Sequence, residues 1–272
     1  MEGESVADFR VTVETARDHV AVVSFERAPH NYFTPELIGA LAGAMEDLAA
    51  DGRTRAVVLR GGGRHFCAGA DFSSSRDGAG EGADVAGADG NRLDVEALYE
   101  HAIRLFVQPL PVVAQLQGAV IGGGLGLALV ADFRVAAEGT RLAANFAKIG
   151  LHQGFGLTVT LPRLIGEQRA LDLLLTGRSV RAPEALSLGL IDGIAPAEEA
   201  AAAAVKRAAD LAANAPLAVR AIRRTLREGL VDQIREAVGS EAAEQRKLFG
   251  TSDFREGVAA VAERRTASFT AS

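Results

Sequence analysis

The sequence predicts an α/β fold with a core built on a sheet and a helical C-terminal part. The first half alternates short apolar strands with amphipathic helices, whereas the chain after Ala136 reads as mainly helical. With 272 residues, of which 48% are hydrophobic, the chain can bury one large core and carry a small appendage. We place the core at residues 1–195 and the C-terminal helical region at residues 196–272.

The first elements are predicted to be a hairpin and a helix. Residues Phe9 to Glu14 and Val20 to Phe25 alternate apolar and polar side chains on either side of a turn-like segment. Pro35 then opens an amphipathic pattern that reaches about Ala50, and Thr34 is placed to cap its N-terminus. An antiparallel hairpin followed by a 16-residue helix is therefore expected.

Three buried strands and a second helix are expected next. The strands are AVVLR from Ala56, PVVAQL from Pro111 and FRVA from Phe133, and the helix runs from about Leu93 to Phe106. Residues 73–91 contain too little apolar surface to pack, so they are predicted to form a mobile surface loop.

The C-terminal region is predicted to contain four helices with apolar faces. They begin near Ala197, Leu217, Val231 and Ser252. Such faces can be buried against another subunit, and packing within the chain is equally compatible with the pattern.

Composition excludes several classes of function. A formal net charge of −6 argues against a nucleic-acid-binding surface, and an acidic substrate would require a local cluster of positive charge. The single cysteine, Cys67, cannot form an internal disulfide, which fits a reducing compartment. No apolar stretch is long enough to span a bilayer, so we expect a cytoplasmic protein with no membrane partner.

Two glycine-rich loops follow buried strands and form the main functional signal. GGGRHFCAGADF begins at Gly61, and GAVIGGGLGLALVAD begins at Gly118. Each strand-to-loop transition can offer a backbone N–H to the same point, which is the layout of an oxyanion hole. The alternative is a tight turn that leads into a buried helix. Neither loop completes a nucleotide-binding glycine pattern, and the five histidines lack metal-ligand spacing.

The order of these motifs resembles the crotonase superfamily, also called the enoyl-CoA hydratase/isomerase family. HFCAGADF is followed by PVVAQLQGAVIGGGLGLALVADFRVA, then by LPRLIGEQRALDLLLTGRSVRAPEALSLGLIDGI and DFREGVAAVAERR, so the resemblance covers roughly residues 9–268. It implies a crotonase-like spiral of ββα units with a helical C-terminal trimerisation region, assembled as a trimer or a dimer of trimers. It also implies an acyl-CoA thioester substrate in fatty acid metabolism, with no cofactor beyond the coenzyme A of the substrate.

The resemblance also implies roles for particular residues. The backbone N–H groups of Ala70 and Gly123 would form the oxyanion hole for the thioester carbonyl. The coenzyme A moiety would contact Ala28, His30, Ala68, Asp71 and Arg264. A role for Asp71 in loop hydrogen bonding, and a solvated position for Arg264, are the alternatives.

The chain departs from the family at the catalytic carboxylates. Hydratases of this family use two glutamates, whose positions here hold Gly126 and Phe146, and a third carboxylate position holds Gly154. His152 is a candidate replacement because imidazole titrates near neutral pH. Tyr99 is a second candidate, better suited to donate a proton than to accept one. Structural roles for both side chains remain the alternatives.

Three functions follow from these residues. The first is a lyase or isomerase that stabilises a thioester enolate without the usual glutamates. The second is a hydrolase that cleaves a carbon–carbon bond in a diketone-type substrate. The third is a non-catalytic acyl-CoA binder. Both glycine loops favour binding in all three cases, while the lost carboxylates weaken the first most.

Overall fold

A computed structural model describes residues 8–70 and 94–272 of the chain. This part contains nine strands and ten α-helices. The strands are β1 (Arg10–Arg17), β2 (Val20–Glu26), β3 (Ala56–Gly61), β4 (Val112–Leu116), β5 (Ala119–Ile121), β6 (Phe133–Ala137), β7 (Arg141–Ala143), β8 (Ser179–Arg181) and β9 (Gly193–Ala195). The helices are α1 (Pro35–Ala50), α2 (Val95–Val107), α3 (Gly123–Ala128), α4 (Leu157–Ile165), α5 (Glu167–Thr176), α6 (Ala182–Leu188), α7 (Ala200–Ala212), α8 (Pro216–Leu226), α9 (Leu230–Phe249) and α10 (Ser252–Glu263).

The strands form two sheets. The larger sheet has the order β1-β2-β3-β4-β6-β9, and only its first pair, β1 with β2, is antiparallel. The smaller sheet has the order β5-β7-β8, with β5 parallel to β7 and β7 antiparallel to β8. Parallel pairs need crossovers rather than hairpins, which is why helices separate most of these strands.

The chain alternates between the two sheets in a repeating unit. Strand β4 lies in the larger sheet, β5 follows in the smaller sheet, and α3 comes next. Strand β6 repeats this with β7 and a 3₁₀ helix, Asn145–Ile149. After β3, an isolated bridge between Cys67 and Val120 brings the chain beside the smaller sheet in the same way. This is the predicted spiral of ββα units.

Both faces of the larger sheet are covered by helices. Successive strand side chains point to opposite faces, so Val20 and Val22 pack with the alanines of α7, whereas Val23 and Phe25 join the core under α1. The α7 alanines recur every four residues and allow the helix to approach the sheet closely. Burial on both faces explains why β2, β3 and β4 have nearly continuous apolar sequences.

The first predicted elements are confirmed. Helix α1 runs from Pro35 to Ala50, and the Thr34 side chain accepts a hydrogen bond from the Leu37 N–H at 3.2 Å. The predicted hairpin is present as β1 and β2. The predicted surface loop at residues 73–91, and Asp71, lie outside the described residues.

The chain after Ala136 is mainly helical, as predicted, since helices α4 to α10 lie there. The short strands β7, β8 and β9, which also follow Ala136, were missed, and so was β5. Each of these four strands has three residues, which is too short to show the alternation that identifies a strand. Among the described residues, no helix combines the length and apolar character needed to cross a membrane.

Candidate active site

A cavity of about 640 Å³ lies between the glycine-rich loops and the C-terminal helices. Its wall is formed by the chain after β3, strand β5 and the start of α3, together with α2, the 3₁₀ helix, α9 and α10. The C-terminal helical region therefore completes a pocket whose floor belongs to the spiral.

The two glycine-rich loops lie against each other. The Cys67 N–H donates to the Ala119 carbonyl at 3.1 Å, and the Ile121 N–H donates to the Cys67 carbonyl at 3.0 Å. Ala70 and Gly123, which follow these paired residues, both line the cavity. In the described part of the chain, no acceptor is bonded to either of their N–H groups. Each glycine loop thus contributes to one cavity wall a residue whose backbone N–H has no described acceptor.

Each of the three consecutive glycines is required for a different reason. Gly122 has a φ of +57°, a conformation that side chains disfavour. A Cβ atom on Gly123 would lie 2.5 Å from the Phe33 ring, and one on Gly124 would overlap the Cys67 carbonyl oxygen. The glycine run therefore combines a left-handed turn with two close approaches.

Basic side chains form an exposed rim of the cavity. We call Arg141, Lys148 and Arg264 the cationic rim, and His30 and His65 lie in the same wall. None of its arginine or lysine side chains is in an ion pair with a described residue. A protein of net charge −6 thus presents local positive charge at this cavity, as an anionic ligand would require.

Hydrogen bonding and burial keep His65 neutral. Its Nδ1 accepts a hydrogen bond from the Ala119 N–H at 3.1 Å, so the ring proton resides on Nε2. Burial lowers the pKa of His65, and the nearby His30, Arg64 and Arg141 lower it further. The rings of His30 and His65 lie 5.5 Å apart.

Asn31 fixes the position of His30 relative to the first glycine loop. Its side-chain amide donates to the carbonyls of Gly62 and His65 at 2.8 Å, and its oxygen accepts from the Arg27 N–H at 2.8 Å. Asn31 is buried and adopts a φ of +54°. Sequence reasoning missed it, because a lone asparagine after a proline turn is typical of many loops.

The opposite part of the wall is buried and carries one polar pair. Tyr99 donates a hydrogen bond from its hydroxyl group to Gln245 Oε1 at 3.0 Å. Gln245 Nε2 in turn donates to the His152 carbonyl at 3.1 Å. We call Tyr99, Gln245, Gly154, Phe146 and Phe155 the inner wall. Gln245 was not a candidate from the sequence, since it lies on a C-terminal helix 146 residues from Tyr99.

Burial favours the protonated phenol of Tyr99. Burial raises the pKa of Tyr99, and the negative charge of Glu241 raises it further. Glu241 lies one helical turn before Gln245 and is completely buried. Its carboxylate accepts hydrogen bonds from the N–H groups of Gly156 and Thr158 and from the Thr158 hydroxyl. Burial raises the pKa of Glu241 as well, and these hydrogen bonds oppose that shift.

Close contacts surround Gly126 and Gly154, two of the three positions at which the resemblance implies a carboxylate. A Cβ atom on Gly126 would lie 2.5 Å from Cβ of Phe155, so a glutamate side chain cannot enter the cavity from there. Phe146 places a phenyl ring in the wall. A Cβ atom on Gly154 would overlap the Tyr99 hydroxyl and lie 2.6 Å from Gln245 Nε2. No aspartate or glutamate lines the cavity among residues 8–70 and 94–272.

The predicted site residues divide into three groups. The cavity wall contains Ala68, Ala70, Gly123, Tyr99, His30 and Arg264. Two predicted residues, Ala28 and His152, are not part of the wall, and Asp71 lies outside the described residues. The His152 ring instead donates from Nδ1 to the Gln153 carbonyl at 2.9 Å. The loop geometry therefore gives no support to His152 as the catalytic base.

Two other polar side chains near the glycine loops have structural roles. Cys67 is fully buried, which raises the pKa of its thiol to about 12 and leaves it protonated near neutral pH. Asp132 binds Arg223 and Arg227 and accepts a hydrogen bond from the Val112 N–H at 2.9 Å. Among the described residues there is no cluster of three histidine, cysteine or carboxylate side chains suited to a metal ion.

Comparison with known proteins identifies a single family. The family model described as enoyl-CoA hydratase/isomerase matches residues 15–272. A Thermus thermophilus relative with a provisional enoyl-CoA hydratase name is 38% identical over 263 residues, which cover 94% of this chain and 100% of the relative. The Mycobacterium tuberculosis enoyl-CoA hydratase EchA19 is 34% identical and covers 93% of this chain and 94% of its own.

Solved structures agree with this assignment. An enoyl-CoA hydratase/isomerase from Pseudoalteromonas atlantica has a TM-score of 0.81 at 26% identity, covering 97% of this chain and 100% of that chain. An enoyl-CoA hydratase from Mycobacterium avium has a TM-score of 0.80 at 28% identity, covering 97% and 99%.

Proposed function

Because the chain belongs to the enoyl-CoA hydratase/isomerase family, we propose that it binds an acyl-CoA thioester in the cavity and stabilises its enolate. The N–H groups of Ala70 and Gly123 would donate to the thioester oxygen as negative charge develops there. The observation that carries this proposal is the pair of backbone donors that line one cavity and are bonded to no described acceptor.

The cationic rim supports coenzyme A as part of the substrate. Its arginine and lysine side chains have no ion-pair partner among the described residues, so they are free to meet phosphate groups. No other cofactor is required for this chemistry, since the thioester itself activates the carbon next to its carbonyl.

The reaction would be an isomerisation or a lyase reaction that does not use the family's usual carboxylates. Tyr99, the proton donor nominated from the sequence, keeps its phenol protonated because its pKa is raised. Its proton is donated to Gln245, so we propose that it orients the acyl group rather than supplying the proton. The described wall offers no carboxylate base. The proposal therefore favours substrates that form an enolate without a carboxylate base at Gly126, Phe146 or Gly154.

A pair of variants at Gly123 tests the backbone donor. Gly123→Pro removes the N–H but is compatible with the first position of a helix. Gly123→Ala keeps the N–H and adds the same steric contact with Phe33, so it is the matched control. We expect Gly123→Pro to lower kcat about 100-fold relative to Gly123→Ala, with a smaller change in acyl-CoA affinity. Equal rates in the two folded variants would remove Gly123 from the mechanism.

A substrate panel separates the three candidate functions. Turnover of enoyl-CoA or acyl-CoA thioesters supports the proposal, and turnover of diketones alone supports the carbon–carbon hydrolase. Tight binding of thioesters without turnover of either class supports the acyl-CoA binder.

We also propose that the chain assembles as a trimer or a dimer of trimers. Helix α8 supports this because Arg223, and Arg227 directly after the helix, turn inward to bind Asp132. Its apolar side chains point to solvent instead, with Leu217 80% exposed and Leu226 68% exposed. Such an apolar face is typical of a subunit interface. Sedimentation of a monomer at micromolar concentration would contradict this assembly.

A further inference from the structure

The polar pair of the inner wall offers hydrogen-bond acceptors to the cavity. A tyrosine hydroxyl has one proton, and that of Tyr99 is donated to Gln245 Oε1. The orientation of the Gln245 amide is fixed, because its nitrogen donates to the His152 carbonyl. The Tyr99 oxygen also accepts a hydrogen bond from the Phe155 backbone, so the unused capacity of the two oxygens is in their remaining lone pairs, beside the second Nε2–H of Gln245.

The charge near this pair favours the same kind of ligand group. Glu241, one turn before Gln245, is buried and close enough to raise the pKa of Tyr99. The cations of the cavity belong to the exposed cationic rim, whereas Tyr99 and Gln245 are 6% and 5% exposed. The remaining lone pairs, with the Glu241 carboxylate held nearby by three hydrogen bonds, favour the partly positive hydrogen of a neutral donor over a bound anion.

The apolar part of the wall suits an aromatic group. Four phenyl rings line the cavity, from Phe33, Phe146, Phe155 and Phe249. The rings of Phe33 and Phe155 lie 5.6 Å apart at 52°, the range in which aromatic rings interact favourably.

We propose that Tyr99 and Gln245 select acyl groups that carry a neutral hydroxyl group, with a phenol as the best fit to the aromatic wall. The inference deepens the proposed function and rests on it, since it requires the acyl group of a thioester to occupy this cavity. In the complex, the substrate hydroxyl donates a hydrogen bond to a side-chain oxygen of Tyr99 or Gln245. The hydrogen bond between these two side chains stays intact.

The first test measures binding to the unmodified protein. The first pair of probes is phenylacetyl-CoA and para-hydroxyphenylacetyl-CoA. The second pair is phenylpropanoyl-CoA and para-hydroxyphenylpropanoyl-CoA, so that two chain lengths are sampled. These saturated thioesters have no double bond to hydrate. We expect the hydroxylated member of at least one pair to bind about fivefold more tightly by titration calorimetry, the size of one net hydrogen bond.

Two variants test the direction of the hydrogen bond. Gln245→Met frees the Tyr99 hydroxyl to donate, so a para-methoxy probe, which only accepts, should gain affinity relative to the hydroxylated probe. The double variant Tyr99→Phe with Gln245→Met should bind all probes of one length equally. Phe146→Leu is the control, because it alters the apolar wall and should shift the affinities of both members of a pair by the same factor.

The outcomes are distinct. If no thioester binds, the proposed function fails and this inference fails with it. If the thioesters bind but the hydroxylated and unsubstituted members are equal at both lengths, only the inference fails. A ratio that survives in the double variant would assign the selectivity to other residues, and it would also overturn the inference. The comparison on the unmodified protein decides the matter even where a variant does not fold.

Discussion

The cationic rim and the inner wall enclose one cavity but differ in charge, burial and hydrogen bonding. Arg141, Lys148 and Arg264 of the rim are exposed and lie outside any ion pair with the described residues. Tyr99 and Gln245 of the inner wall are buried and bonded to each other. The difference teaches that positive charge and burial are separated within one cavity. Under the proposed function, the rim would bind the anionic carrier and the inner wall would select the acyl group.

The largest expected effect concerns hydration activity. A high hydration rate would break this comparison, because it would require a catalytic base in the inner wall. We expect crotonyl-CoA hydration to be at least about 100-fold slower than in hydratases of the family with two glutamates, because each acid or base contributes that much. The positions concerned hold Gly126 and Phe146. The measurement is the loss of the enoyl thioester absorbance. An ordinary hydratase rate would reveal a replacement carboxylate, which the described cavity wall lacks.

The next effect sharpens the description of the inner wall as closely packed. Gly154→Asp would place a side chain where the Tyr99 hydroxyl and the Gln245 amide lie. We expect the free energy of unfolding to fall by about 2 kcal/mol, since the added atoms overpack a buried site. The control is Gly139→Asp, where no atom lies within 4 Å of an added Cβ and the change should stay within about 0.5 kcal/mol. Equal stability of the two variants under urea would show that Tyr99 and Gln245 move aside freely.

The smallest expected effect concerns the rim. Arg141→Gln or Lys148→Gln should weaken acyl-CoA binding about threefold to fivefold, because an exposed ion pair contributes about 1 kcal/mol or less. The loss should shrink at high salt, which screens exposed charges. Lys206→Gln, which removes a cation paired with Asp210 on the exposed face of α7, is the control and should leave affinity unchanged. If changes at the rim prove insensitive to salt, the rim does not act through charge.

Short-range patterns predicted much of the fold. The cap at Thr34, the start of α1 at Pro35 and the buried strands β3 and β4 follow from neighbouring residues and were confirmed. The three-residue strands escaped detection because pairing between distant segments, rather than local alternation, creates them.

The candidate site was predicted less completely than the fold. The sequence placed Ala70 and Gly123 in two glycine loops, and the structure brings both to one cavity wall. It also nominated His152, whose position in the same loop as Gly154 says nothing about where the ring points. Gln245 could not be found from local sequence, because helix α9 reaches Tyr99 only in the folded chain.

The sequence by itself determined that glycine stands at positions 123, 126 and 154, and that no glutamate stands where the family resemblance implies one. Only the tertiary structure decided why, because the atoms that exclude a side chain there come from distant segments or from an adjacent loop. Phe33 covers Gly123, Phe155 fills the space over Gly126, and Tyr99 with Gln245 occupies the space beside Gly154. The residue type in the sequence indicates that a side chain is excluded at these positions. Which neighbouring residue excludes it depends on contacts that form only when the spiral and the C-terminal helices pack together.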